Sequence, residues 1–339
     1  MLLELPRFEH IDVTTPAQAV SCLQKYGDKA AVIAGATDLL GLMKDRVEGP
    51  ELKIPEVLVN IKPVPELNRI AAESNGSVRI GATVTLAGLE ASDLITGTFP
   101  VLSRAAHHVG TTQLRNMGTL GGNLCQRPRC MYFRHPHFLC YKKGGTKCFA
   151  VAGEHRDYHS ILKPGKCVMA HPSDTAPALL ALRARAVILG PGGERKIPLQ
   201  EFFLGPNTYR ETVMKTDEFL KEIEIPNPQG ATVQVFLKQR VRHAADFALS
   251  SVAAVAQLSE GVFKEISLVL GGIAPLPVVA TEAEEVVRGR RLDGTLIAKA
   301  ADAALEGAKP LPMNRYKIDL TKALVRRALT SLSERGPAV

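Results

Sequence analysis

The sequence predicts a mixed α and β protein in two parts, and three observations carry that prediction. The first third of the chain alternates helical and strand periods, the pattern of helices packed on a sheet. Beyond Gly230 the pattern changes to longer strands and helices, which reads as a separate α+β domain of about 100 residues, an ordinary domain size. At 339 residues and 45% hydrophobic, the chain has apolar material for a core in each part.

The elements follow in order. PAQAVSCLQKYG reads as an amphipathic helix with Cys22 toward the core, AAVIAG as a strand, DLLGLMKD as a helix, and EVLVNI and SVRIGATVT as strands. After a cysteine-bearing stretch come a helix at DTAPALLALR, a strand at AVILG, an apolar turn at FFLG, and a strand at KEIEIPNPQG that runs into a linker. The tail offers strands at TVQVFLKQR and EISLVLGGI. Its helices are DFALSSVAAVAQL, TEAEEVVRG, TLIAKAADAALEGA and LTKALVRRALTSLSER.

Composition excludes some functions. The start, MLLELPRFEHIDVTTP, lacks a basic segment followed by an apolar one, and Pro6, Arg7 and Glu9 interrupt any signal peptide. The longest apolar run, FALSSVAAVAQL, falls short of the roughly 18 residues that span a bilayer. The expectation is no membrane insertion and a cytoplasmic location, or a periplasmic one reached with a signal-bearing partner. A net charge of +8 suits an acidic partner. The Lys and Arg are scattered, and there is no Trp or nucleic-acid-binding motif, so nucleic acid is not expected as a partner.

Two glycine loops carry the first chemistry. In VIAGATDLLGLMK a strand meets a tight turn at Gly35 and Ala36, then a helix begun by Thr37 and Asp38, both good N-cap types. Such a turn aims free backbone N–H groups at a phosphate. In RNMGTLGGNL, Gly118, Gly121 and Gly122 allow close backbone approach or positive φ, and Thr119 and Asn123 add short polar side chains. Neither loop is a Rossmann or P-loop fingerprint. Two loops of this kind in one domain point to a ligand with two phosphates.

Cys125, Cys130, Cys140, Cys148 and Cys167 leave disulfides, a zinc site and an iron–sulfur cluster open. Arg127, Arg129, Lys142, Lys143 and Lys147 would favour thiolates, and Gly144 and Gly145 would leave N–H groups for sulfur, but zinc gains from the same charges. His135 and His137 flank the cysteines, and His107 and His108 pack or cap before the second loop. Asp157 and His159 read as polar loop residues. No Ser-His-Asp or paired-carboxylate arrangement emerges, so no catalytic residue is expected on this chain.

VIAGATDLLGLMK and VGTTQLRNMGTLGGNL, followed by SDTAPALLALRARAVILG, FFLG and EFLKEIEIP, resemble the FAD-binding medium subunit of the molybdenum hydroxylases, the xanthine dehydrogenase and carbon monoxide dehydrogenase flavoprotein family. The resemblance implies an α+β fold: a two-subdomain FAD-binding module of the vanillyl-alcohol oxidase (PCMH) type over 1–228, divided at about residue 60, then a smaller α+β C-terminal domain over 229–335. By matching position, Ile33, Ala34, Gly35, Ala36, Thr37, Asp38 and Leu39 would hold FAD from the first loop. Thr111, Asn116, Gly118, Thr119, Gly121, Gly122 and Asn123 would hold it from the second. Asp174 would contact the flavin end, and Lys238, with Arg242, would stand at the flavin side of the C-terminal domain. The family's first loop usually reads A-G-G-T-D, so Ala36 departs from it.

The stretch at about 124–168 resembles the insert of 4-hydroxybenzoyl-CoA reductase and of the bacterial FAD/iron–sulfur aldehyde oxidoreductases, which binds a 4Fe-4S cluster. Cys130, Cys140, Cys148 and Cys167 are then the expected ligands, with Cys125 as the alternative. The implied role is electron transfer between the 2Fe-2S clusters of a small subunit and an external carrier such as a ferredoxin. Substrate chemistry, on an aldehyde or an aromatic acyl-CoA, would sit on a molybdopterin-containing large subunit. Competing readings are an FAD subunit with a structural zinc clip, a zinc-stabilised scaffold or nucleic-acid binder, and a self-contained flavin oxidase.

Overall fold

The computed structural model describes residues 4–228 and 230–335. Residues 1–3 and Gln229, at the edges of the two expected domains, lie outside the described residues, as do 336–339.

Strands β1 (Glu9–Asp12), β2 (Ala30–Ile33) and β3 (Val57–Asn60) form a parallel sheet in the order β1-β3-β2. Parallel neighbours need a crossover, and the helix Pro16–Tyr26 supplies it. Thr15 and Gln18 close a capping box at its start, Pro16 opens its first turn, and Ala19, Val20 and Leu23 are buried under the sheet.

A five-stranded sheet follows, built from β4 (Ile70–Ala72), β5 (Val78–Gly81), β6 (Arg185–Gly190), β7 (Gly193–Pro198) and β8 (Phe219–Ile225) in the order β4-β5-β8-β6-β7. The helices Pro100–His107 and Thr175–Ala181 share its main core. The expected strand SVRIGATVT stops at Gly81 because the next backbone groups are committed elsewhere. Ala82 O and Val84 O accept from Gly121 N at 2.9 Å and Leu120 N at 2.8 Å, which fastens the second glycine loop to the sheet edge.

The tail forms a third sheet, β9 (Val233–Gln239), β10 (Ser250–Ser259), β11 (Val262–Gly271) and β12 (Val278–Val279), ordered β12-β11-β10-β9. The helices Thr281–Val287, Gly294–Ala303 and Lys317–Arg335 complete its core. The helix expected at DFALSSVAAVAQL is instead β10, an inner strand paired on both sides. Its valines and leucine fall at helical spacing and its alanines favour helix. Ser251, Ala253, Ala254 and Ala256 are nonetheless buried within the sheet, and two ladders outweigh local preference.

The cysteine insert has no sheet of its own. It carries the short helices Met131–Arg134 and Tyr141–Lys143 and is tied to the C-terminal part by buried polar bonds. Asn314 Nδ2 donates to Ser160 O at 3.1 Å, Lys317 Nζ to His159 O at 3.2 Å and Gly272 O at 3.1 Å, and Met313 N to His155 Nε2 at 3.1 Å. Among the described residues no helix is long and apolar enough to cross a membrane.

Burial pushes the Lys317 ammonium down to about 7. Between that value and the ordinary lysine range the unfolded chain holds a proton that the folded chain has released, so stability rises with pH across this window. Chemical denaturation at pH 6 and pH 10 is expected to show this gain in the wild type, by about 2 to 4 kcal/mol relative to Lys317→Met.

Candidate cofactor sites

The two glycine loops touch. A Cβ on Gly35 would stand 2.2 Å from Met117 O and 2.9 Å from Gly118 Cα, so the first loop reaches the second only because residue 35 has no side chain. Gly121 lies close on Ala82, whose O and Cβ would each stand 2.9 Å from a Cβ there. Gly118, Gly121 and Gly122 are not among the described positive-φ residues, so close approach is what they provide. The left-handed position is Ala36, at φ 62°, where the departing methyl sits in a conformation L-residues avoid.

Thr119 Oγ1 caps the helix Leu120–Leu124 by accepting from Gly122 N at 3.1 Å, and Thr111 caps Thr112–Met117. Asp38 stands at the cap position of the helix Leu39–Lys44 but makes no capping bond. Its carboxylate turns to the insert. Asn123 Oδ1 accepts from Ser173 Oγ at 2.6 Å and Thr175 Oγ1 at 2.7 Å, joining the second loop to the S-D-T segment.

Two cavities meet at these loops. The larger, of about 350 Å³, is lined by Ile33, Ala34, Gly35, Ala36, Thr37, Asp38 and Leu39, by Thr119, Gly121 and Gly122, and by Cys125 and Arg127. The smaller, of about 190 Å³, is lined by Thr37, Asp38, Gly118, Thr119, Gly122, Asn123, Arg129, Asp174 and Phe247. Thr111, Asn116 and Lys238 line neither, and Lys238 reaches the smaller one through Asp174. The pair is buried: Lys238 Nζ lies 2.6 Å from Asp174 Oδ2 and donates to His108 O at 2.9 Å. Burial raises the Asp174 carboxyl, against the pull of Lys238.

Arg242, the expected partner of Lys238, turns away to Asp246 and leaves its side chain exposed. The second cation is Arg240, whose Nη1 donates to His108 O at 3.2 Å. The His108 ring, packed on Phe236, is pushed down to about 4 by burial, and His107 pairs with Glu90 at 2.7 Å. A loop fastened on both sides by glycine packing, with cavities at both flanks and cations beside the smaller, suits a two-ended diphosphate ligand.

Cys130, Cys140, Cys148 and Cys167 line one small cavity with Phe133, Lys142 and Phe149, and Cys125 is not among them. Cys125 faces the larger cavity, where burial pushes its thiol up to about 12. Burial also raises Cys130, to about 11, and Cys140. A hydrogen bond between Cys148 and Cys167 lowers the first thiol and raises the second. Backbone N–H groups bear on every sulfur: Tyr132 and Phe133 on Cys130, Lys142 and Lys143 on Cys140, Ala150, Val151 and Val168 on Cys148, and Met169 on Cys167. Such donors stabilise thiolates and suit an anionic sulfur cage. The space between the thiols is about 10 Å³, room for little more than one water, so a larger group enters only as the thiols part.

The insert's charges are not placed as the sequence suggested. Gly144 N and Gly145 N are taken by Tyr141 O and Cys140 O and do not serve sulfur. Arg127 and Arg129 turn to Glu211 and Asp38 at the glycine loops, away from the thiols. Two buried lysines stand near the thiols: Lys142 lines their cavity and acts on Cys167, and Lys143, with Nζ on His135 O at 2.7 Å, is pushed down by burial against the opposing pull of Cys140 and Cys130. His135 and His137 lie outside the lining and meet each other edge to face. His159, expected as a plain loop residue, places Nε2 3.3 Å from Cys130 Sγ and is pushed down to about 4 by burial. Only its contact across the fold reveals it. Among the described residues no three His, Cys, Asp or Glu converge to hold a single metal ion.

Comparison with known proteins defines the class. Residues 6–228 match the FAD binding domain in molybdopterin dehydrogenase, and 235–332 match the CO dehydrogenase flavoprotein C-terminal domain. The chain belongs to this family of FAD-binding flavoprotein subunits. It is 33% identical to the aldehyde oxidoreductase FAD-binding subunit PaoB of Escherichia coli over 95% of this chain and 97% of that one. It is 28% identical to the carbon monoxide dehydrogenase medium chain of Hydrogenophaga pseudoflava, over 96% and 97%. A solved structure of carbon monoxide dehydrogenase from Hydrogenophaga pseudoflava superposes with a TM-score of 0.78 at 27% identity, covering 98% of this chain and 100% of that one.

Two substitutions test this geometry. Ala36→Gly is expected to raise unfolding stability by about 1 kcal/mol through relief of the left-handed alanine, read in denaturant melts. Lys238→Met is expected to lower it by about 3 kcal/mol by stranding the Asp174 carboxyl, and adding Asp174→Asn is expected to recover most of that loss.

Proposed function

We propose that this chain is the electron-relay subunit of a molybdopterin-dependent oxidoreductase complex, holding FAD at the two glycine loops and a 4Fe-4S cluster at Cys130, Cys140, Cys148 and Cys167. The observation that carries the cluster is four cysteines from distant parts of the insert around one cavity, with backbone N–H groups on each sulfur and a buried lysine beside them. Bound FAD supplies one- and two-electron chemistry, and a cluster supplies one-electron steps.

The chain's own residues place these groups. Ala34 to Asp38 and Gly118 to Asn123 meet between the two cavities, where the diphosphate is best held, with one end of the cofactor in each cavity. Asp174, fixed by Lys238, closes the smaller cavity and fits the flavin end. His159 Nε2 stands 3.3 Å from Cys130 Sγ and as its N–H tautomer would donate to a thiolate, and Lys143 would offset the charge of the thiolates. The larger cavity reaches Cys125 and Arg127, only a few residues before Cys130, so the two sites share one segment.

The likeness to an aldehyde oxidoreductase subunit and to carbon monoxide dehydrogenase medium chains supports partner chains that carry the molybdenum site and 2Fe-2S clusters. The PaoB likeness favours an aldehyde as the substrate class over an aromatic acyl-CoA. A soluble one-electron carrier such as a ferredoxin fits the external end of the relay.

Anaerobic purification of the full chain, with iron, zinc and flavin quantified and an EPR spectrum taken after dithionite reduction, tests the assignment. The expected result is FAD and iron in the proportion of one flavin to one 4Fe-4S cluster, with the reduced signal lost and FAD retained in Cys140→Ser. Zinc in place of iron overturns the cluster. Aldehyde turnover by the chain alone overturns the relay.

A further inference from the structure

Between the glycine loops and the thiol cavity lies a charge cluster that neither site explains. Asp38 Oδ2 accepts from Arg127 N at 2.8 Å, while Oδ1 lies 2.7 Å from Arg129 Nη2 and 2.5 Å from Arg134 Nη2. All three donors come from the segment that leads into and out of Cys130. A carboxylate in a phosphate-binding loop repels a diphosphate unless it is neutralised. Here two guanidinium groups share it, and the cluster carries a net positive charge.

Each arginine is itself held. Arg134 Nε donates to Pro128 O at 2.7 Å, its Nη2 donates to Arg127 O at 3.1 Å, and its guanidinium stands 5.9 Å from the centre of the buried Phe133 ring. It ends the short helix that Cys130 opens. Arg129 Nη2 also donates to Gln126 Oε1 at 2.9 Å, and the guanidinium lies 4.6 Å from the Phe247 ring centre, contributed by the C-terminal part. Its buried Nε has no hydrogen-bond partner among the described residues, and its side chain lines the smaller cavity beside Thr37, Gly118 and Thr119. A guanidinium that lines the cavity at the glycine loops matches a phosphate oxygen.

We propose that Asp38 is a positioning residue: through Arg134 and Arg129 it locks the first phosphate loop to the cysteine insert, presents Arg129 to the cofactor diphosphate, and couples flavin affinity to the loading of the thiol site. Cys130 opens the helix that Arg134 ends, so a displacement of Cys130 at the thiol site would be carried to the hold on Asp38. Coupling between two sites is reciprocal, so flavin also favours a loaded thiol site. The iron-linked part rests on the cluster proposed above, whereas the Asp38 anchor does not.

The test is the FAD dissociation constant of the full chain, measured by flavin fluorescence for wild type, Asp38→Asn, Arg134→Gln and Arg134→Lys, each before and after iron chelation. In wild type, chelation is expected to weaken FAD about tenfold, within the usual range of coupling. Arg134→Gln and the near-isosteric Asp38→Asn are expected to weaken FAD by a similar factor with iron present and to respond less than about twofold to chelation, with Arg134→Lys between them and wild type. Wild-type affinity in both Asp38→Asn and Arg134→Gln overturns the anchor. An equal response to chelation in wild type and variants overturns the coupling. Absence of iron from the purified chain removes the cluster reading alone, since the effect of Asp38→Asn on flavin still decides the anchor.

Discussion

The Lys143 ammonium sets the terms for the cysteine insert. It is fully buried, and the groups that favour its charge are the sulfurs of Cys140 and Cys130. Burying an ammonium costs several kcal/mol unless an anion meets it. Neutral thiols do not, and burial alone pushes Cys130 and Cys140 toward the neutral form. Thiolates bound to metal resolve both demands together, because the metal removes the protons and the excess negative charge of the cage is answered by Lys143 and the backbone N–H groups. The insert therefore supplies the charge environment of an anionic sulfur cage, around thiols that must part to admit one.

A different constraint governs the flavin side. There the fold works by excluding side chains: Gly35 against Met117 O brings the two glycine loops into contact, and Gly121 against Ala82 seats the second loop on the sheet edge. Their backbone bonds are partly used to fasten the loops to the sheet edge, as with Gly121 N to Ala82 O and Leu86 N to Gly118 O. The floor between the two cavities is thus rigid, while charge is brought in from outside it by Arg127, Arg129, Lys238 and Arg240.

Much of this was legible in the sequence where the signal is local. The glycine loops, the helix Pro16–Tyr26 and the strands β2, β3, β5, β6 and β8 follow from spacing and breakers, whereas the strands β1, β4 and β7 do not, and they pair at sheet edges. The failures share a cause, which is that long-range contact decides. Ser250–Ser259 has helical spacing and alanine content, yet two neighbouring strands claim its backbone. Arg242 lies two residues from Arg240, which joins Lys238 on His108 O, and its own pairing with Asp246 draws Arg242 outward. The approach of His159 to Cys130 joins residues far apart in the insert, and no spacing rule encodes it. Basic residues among cysteines suggested thiolate neighbours, but Asp38 and Glu211, distant in sequence, draw Arg129 and Arg127 away.

The central claim, that one chain holds a flavin and an iron–sulfur cluster in adjoining sites, is tested most directly by diffraction from anaerobically grown crystals at the iron absorption edge. The account predicts anomalous iron density enclosed by Cys130, Cys140, Cys148 and Cys167, with flavin density spanning the glycine loops and Cys125 unligated. A single zinc peak at those thiols, or iron bound to Cys125 in place of one of the four, would contradict it.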